Sequence, residues 1–154
     1  MTEQLSRSQS ILLVEDNEDD YEATCRAFKK ANLHNPIVWC RSGRDTLDRL
    51  KGEGAHRLAS RGSGPGLVLL DLNMPGMDGR KTLDAIKRDT TLKQIPVIVL
   101  TTSADERDVL ACYQMGANTY VQKPVSFDAL IEAIKRLKEY WFEIALLPKD
   151  DGHE

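Results

Sequence analysis

Four short stretches of this chain end in side chains suited to one chemistry. Glu15 and Asp16 close the apolar run Ile11-Leu12-Leu13-Val14, and Asp71 closes Leu67-Val68-Leu69-Leu70. Thr101 ends the stretch that begins at Ile95-Pro96, and Lys123 follows Thr119 to Gln122. Beyond Asp71 lie the turn residues Asn73, Pro75, Gly76, Asp78 and Gly79, so its carboxylate stands at a strand end facing an open loop. Carboxylates brought together raise one another's pKa unless a cation neutralises them. An all-oxygen set favours a hard ion, and Mg²⁺ fits because it keeps several waters and needs only one or two carboxylates plus a phosphate; Mn²⁺ can substitute. With a hydroxyl and an ammonium nearby, the set fits phosphoryl transfer to an aspartate. In that reading Asp71 is the nucleophile, and Asp16, Asp71 and the backbone carbonyl of Asn73 hold the metal. Glu15 stands behind them on metal-bound water, and Thr101 and Lys123 hold the phosphoryl group.

The groups meet only if the elements carrying them lie side by side. The chain reads as strand then helix, five times over. Strands are expected at 10–15, 36–40, 67–70, 95–101 and 119–122. Helices are expected at roughly 18–31, from Ser42-Gly43 through Leu50, at 79–88, at 105–115 with Gly116 as its stop, and from the cap Ser126 to Leu146. Alternation of this kind implies a parallel sheet, right-handed crossovers and helices on both faces. Ligands bind at the carboxyl ends of such strands, where all the candidate groups stand. Residues 52–66, rich in glycine, serine and basic residues, read as a long surface connection.

The bulk numbers remove several alternatives. A chain of 154 residues, 41% hydrophobic and 29% charged, fits one globular domain, here 10–147 between a flexible segment 1–9 and a tail 148–154. With 21 Lys and Arg against 24 Asp and Glu, the net charge of -3 offers no general attraction for nucleic acid or an anionic membrane. No stretch approaches the ~20 apolar residues of a membrane helix, and the start lacks a signal-peptide pattern, so a cytoplasmic protein is expected. Cys25, Cys40 and Cys112 read as small buried hydrophobes in a reducing compartment. His34, His56 and His153 show no ligand spacing.

At ILLVEDN, LLDLNMPGMDG, PVIVLTTSA and GANTYVQKP the chain resembles the receiver domain of two-component response regulators, in that family's order and over nearly its whole length. The resemblance implies a flavodoxin-like (βα)₅ fold of strand order 2-1-3-4-5, a histidine kinase or phosphotransfer partner, and phosphorylation on Asp71. It also implies a switch in which Thr101 turns toward the phosphoryl group while Tyr120 changes rotamer beneath the fourth helix, and a cis Lys123-Pro124 bond that aims the lysine. Glu15 departs from the Asp that many members have there. The 52–66 loop, the run CYQMGANTYVQKP and the Tyr140-Trp141 ending are similar to the small regulators that partner bacterial phytochromes.

Taken singly, each residue has a plainer explanation. Asp16 and Asn17 suit a helix cap, Thr101 is a β-former at a strand end, Tyr120 is an aromatic in a short strand, and Trp39 suits the second strand's buried surface. Their joint arrival at one sheet edge is what favours chemistry. A small-molecule phosphatase with an Asp nucleophile would need a second acid two residues on, where Asn73 stands. An interaction module with vestigial phosphorylation would not need the full acid, Thr and Lys set. A module that catalyses only its own phosphorylation and dephosphorylation is the reading adopted. With few residues after the last helix, output is expected through a surface. An unbroken helix 126–146 would span about 31 Å against ~17 to 20 Å for a strand, so its apolar end should overhang the sheet. Tyr140, Trp141 and Ile144 are expected in a symmetric homodimer built on the fourth helix, fifth strand and fifth helix.

Overall fold

The computed structural model describes residues 2–3, 9–52, 65–72, 79–145 and 147–148. Strands β1 (Ile11–Val14), β2 (Ile37–Cys40), β3 (Leu67–Leu70), β4 (Val97–Thr101) and β5 (Thr119–Gln122) form one parallel sheet ordered β2-β1-β3-β4-β5. Helices α1 (Glu18–Lys30), α2 (Gly43–Lys51), α3 (Gly79–Arg88), α4 (Glu106–Met115) and α5 (Phe127–Lys138) follow the strands in turn. This is the expected flavodoxin-like arrangement. Strands β2 and β4 begin after Pro36 and Pro96, which have no N–H to give a ladder; their carbonyls accept from Ile11 at 2.8 Å and Val68 at 3.0 Å instead.

Period-two alternation splits each strand between two apolar layers. Leu12, Val14, Val68, Leu70, Val97 and Val99 face one layer, with Leu47 of α2, Leu83 and Ile86 of α3 and Cys112 of α4. Ile11, Leu13, Leu67, Leu69 and Ile98 face the other, with Ala27 and Phe28 of α1 and Leu130 and Ile134 of α5. At about 1.5–3 kcal/mol for each large side chain fully buried, these two layers are the main stabilising term. Cys40 and Cys112 sit in the first layer, and all three thiols are free.

Side-chain caps start the helices. Asn17, Ser42 and Ser126 accept the N–H three residues on, at 2.9, 3.0 and 3.1 Å, while Asp105 accepts from Arg107 at 2.8 Å. Gly116, at φ 109°, stops α4, a conformation an L side chain rarely adopts.

The last helix departs from expectation. It is α-helical only to Lys138, continues as a π-helical turn over Glu139–Ile144, and turns extended at Ala145. The wider turn, with the Ala145 N–H reaching back five residues to Tyr140 O at 2.7 Å, alters the phase of the apolar stripe. Trp141 and Ala145 pack on the second layer, while Ile144, which an α-helix would place beside Trp141, is 66% exposed. The expected overhang is thus corrected: the end of the helix closes back on its own domain. A two-residue antiparallel ladder pairs Thr2 with Pro148 and Glu3 with Leu147, an element absent from the sequence reading. Among the described residues no helix is long and apolar enough to cross a membrane.

Candidate phosphoryl-transfer and metal site

The ladders continue one residue past the strand ends, and this places the acids. The Glu15 N–H donates to Cys40 O at 3.0 Å and the Asp71 N–H to Val14 O at 3.1 Å. Val14 and Leu70 are in-register partners on adjacent parallel strands, so the next residues, Glu15 and Asp71, point to the same side. Asp16 follows as the chain turns toward α1. Carboxylate oxygens of Glu15, Asp16 and Asp71 all lie within 4.8 Å of one another. From the far side, Lys123 is held by its N–H on Thr101 O at 2.5 Å, and its Nζ lies 3.4 Å from Glu15 Oε1. The Asn17 N–H donates to the other Glu15 oxygen at 3.3 Å.

Glu15 is 2% exposed, and burial, reinforced by the charge of Asp71, pushes its carboxyl up to about 7 despite Lys123 and the Asn17 N–H. The cluster therefore carries more negative charge than one ammonium offsets. That excess, on hard oxygen donors a few ångströms apart, fits a divalent cation such as Mg²⁺ or Mn²⁺.

A pH dependence follows. Without metal, native Glu15 keeps a proton that the unfolded chain has already lost between pH 4.5 and about 7. Its contribution is fully present below that window and is lost as pH rises through it, by at most about 3 kcal/mol. Mg²⁺ replaces the proton, so it should raise the melting temperature more at about pH 8 than at about pH 5.5. Melts of the wild type and Glu15→Gln, in EDTA and in Mg²⁺, check this. Equal Mg²⁺ shifts at both pH values in the wild type would contradict it.

Thr101, the last residue of β4, is 1% exposed, and its hydroxyl accepts from the Ser103 N–H at 3.4 Å. Ser103 is a junction: its hydroxyl donates to Asp108 at 2.8 Å and its carbonyl accepts from the half-buried Tyr120 hydroxyl at 2.9 Å. Asp108, in the first turn of α4, also pairs with Arg80 of α3, which holds its carboxyl below the usual range. The Tyr120 N–H donates to the Tyr113 hydroxyl at 3.1 Å.

The structure thus brings Glu15, Asp16, Asp71 and Lys123 together and sets Thr101 at the end of the strand beside that of Asp71. Asn73, expected to offer a carbonyl to the metal, lies outside the described residues, as does most of the 52–66 connection. Two expectations are corrected. The described residues contain no cis peptide bond, so Lys123-Pro124 is trans, as the intrinsic preference of the bond favours. Trp141, expected at a dimer surface, is only 7% exposed and packs edge-on to Tyr140 at 5.0 Å, whereas Tyr140 and Ile144 are exposed. Three features beside the site escaped the sequence reading: the close approach of Gly79 to the Asp71 backbone, the hydrogen bond from Trp39 to the Glu15 carbonyl, and the Arg80-Asp108 pair. Gly79 stood there as one turn residue among several and Trp39 as a core aromatic.

Residues 11–135 match the model of the response regulator receiver domain. The chain is 42% identical over 132 residues to the probable methanogenesis regulatory protein FilR2 of Methanothrix harundinacea, covering 85% of this chain and 82% of that protein. It is 34% identical to the response regulator Rcp1 of Synechocystis over 96% of this chain and 99% of Rcp1. The crystal structure of Mn²⁺-bound Rcp1 superposes with a TM-score of 0.82 at 35% identity, covering 92% of this chain and 99% of that one. That of the phosphorylated cyanobacterial phytochrome response regulator RcpA gives 0.84 at 38% identity with the same coverage.

Proposed function

This chain belongs to the response regulator receiver domain family, and on that premise we propose that it accepts a phosphoryl group on Asp71 from a histidine kinase in a Mg²⁺-dependent reaction. The observation that carries the reading is the convergence of three carboxylates within 4.8 Å, with Lys123 against one of them. An Asp71 carboxylate oxygen attacks phosphorus, the bond to the donor nitrogen or oxygen breaks, and an acyl phosphate remains. When bound by these carboxylates, a divalent ion would supply neutralisation of charge on the phosphoryl oxygens. The chain's own groups do the rest: Lys123 places an ammonium on the phosphoryl oxygens, Thr101 donates its hydroxyl, and Asp16 with Asp71 holds the metal. No external substrate is turned over. A phytochrome is the proposed kinase, on the likeness to RcpA.

The signal would leave through the Ser103 junction. Thr101 turning toward the phosphoryl group pulls on the Ser103 N–H, and Ser103 connects to both Tyr120 and α4. Leu110 and Tyr113 of α4, and Tyr140 and Ile144 beyond α5, are exposed apolar residues, and we assign the homodimer contact to them.

One experiment tests both parts. With acetyl phosphate and Mg²⁺, intact mass should rise by one phosphoryl group, the gain being absent in EDTA and removed by hydroxylamine, which cleaves acyl phosphates. Sedimentation of the same samples should show a dimer that Ile144→Asp dissociates. No gain in mass, or a hydroxylamine-resistant gain, overturns phosphorylation on a carboxylate; a dimer indifferent to Ile144→Asp overturns the assigned contact.

A further inference from the structure

Glu15 and Asp16 lie where β1 has ended and α1 has not begun, so no regular ladder fixes their shared peptide. The Glu15 carbonyl is bound instead by a side chain: the Trp39 indole N–H donates to it at 2.7 Å. Trp39 stands on the edge strand β2, in register with Leu13. Its ring is itself held. Tyr21, from the first turns of α1, stacks on it with centroids 3.9 Å apart and planes 5° from parallel. The Arg41 guanidinium lies 4.3 Å from the ring centroid. A bicyclic ring packed against both groups has little rotational freedom, and its N–H direction is fixed with it.

We propose that Trp39 is a positioning residue for the metal site: by holding the Glu15 carbonyl from the edge strand, it sets the peptide that aims the Asp16 carboxylate toward Asp71. Glu15 is then tied at three points, its N–H on Cys40, its carbonyl on Trp39 and its carboxylate on Lys123 and Asn17. Only the Trp39 tie acts on the side of the residue that leads to Asp16. Loss of one such bond leaves the peptide free to rotate and the metal to gather its ligands from a looser set. The inference rests on the metal site of the proposed function.

Trp39→Phe keeps an aromatic ring against Tyr21 and Arg41 and removes the donor. Calorimetric titration of the full chain with Mg²⁺ and with Mn²⁺ should show binding weakened about three- to tenfold, the loss expected for one hydrogen bond. Tyr21→Leu, which loosens the ring but leaves the N–H, should weaken binding less. Wild-type tryptophan emission should change on saturation with Mg²⁺, persist in changing in Trp141→Phe, and stay constant in Trp39→Phe. If Trp39→Phe lowers the melting temperature but binds both ions as the wild type does, Trp39 is structural only and the inference fails while the metal site stands. If the wild type binds neither ion, both fail.

Discussion

Asp71→Asn abolishes phosphoryl uptake: with acetyl phosphate and Mg²⁺ its intact mass stays constant under conditions in which the wild type gains one phosphoryl group. An amide oxygen has nearly the shape of the carboxylate but little of its nucleophilicity, so the bond to phosphorus has no oxygen to form from. A second effect separates this from loss of fold. Asp71 is the second-largest cause, after burial, of the raised Glu15 carboxyl, and removing its charge relieves that repulsion. Without metal, Asp71→Asn should melt at or above the wild-type temperature, and with one acid fewer its Mg²⁺ affinity should fall at least tenfold. A folded variant that still gains mass would move the nucleophile to another residue and remove the central assignment. A variant that melts well below the wild type in EDTA would show instead that Asp71 stabilises the fold, contrary to the electrostatics of the cluster.

Much of this site was legible in sequence because each reactive group ends a strand. A short apolar run followed by Glu15, Asp71 or Thr101 carries its own address, and in a parallel sheet all such addresses lie on one edge. The alternation of strands and helices implied the layers. The strand order came from the motifs' resemblance, since periodicity says nothing about which strands neighbour. What stayed hidden depends on contacts between distant residues. Trp39 looked like a core aromatic because nothing near it in sequence shows that its N–H reaches Glu15. Arg80 and Asp108 are ordinary helix-surface charges until α3 and α4 pack together. The stripe Leu130, Ile134, Trp141 keeps helical spacing, so the π turn that swings Ile144 outward left no mark in the pattern.

Gly79→Ala should be the most damaging single-methyl substitution near the site. Gly79 opens α3 flush against the backbone that follows β3, with its N–H on Leu72 O at 3.1 Å. A Cβ there would lie 2.4 Å from the Asp71 carbonyl oxygen and 2.4 Å from the Leu72 Cα. These are backbone atoms of the residues that carry the nucleophile, and neither can rotate aside. Either α3 moves off the sheet, exposing Leu83 and Ile86, or the Asp71-Leu72 peptide shifts and the carboxylate shifts with it. Overpacking typically costs about 1–3 kcal/mol and occasionally more, and against unyielding backbone about 3 kcal/mol is expected. In a domain of this size that lowers the melting temperature by roughly 10 °C. Gly116→Ala is the comparison. It is strained by its φ of 109°, and the atoms nearest its Cβ would be those of the Lys87 side chain, from 3.0 Å, at the start of β5 and not at the strand ends that carry Asp71. Both variants should melt early, but among folded molecules only Gly79→Ala should take up phosphoryl groups more than tenfold more slowly. Equal uptake rates in the two would mean that α3 absorbs the clash and that Asp71 is positioned by its strand alone.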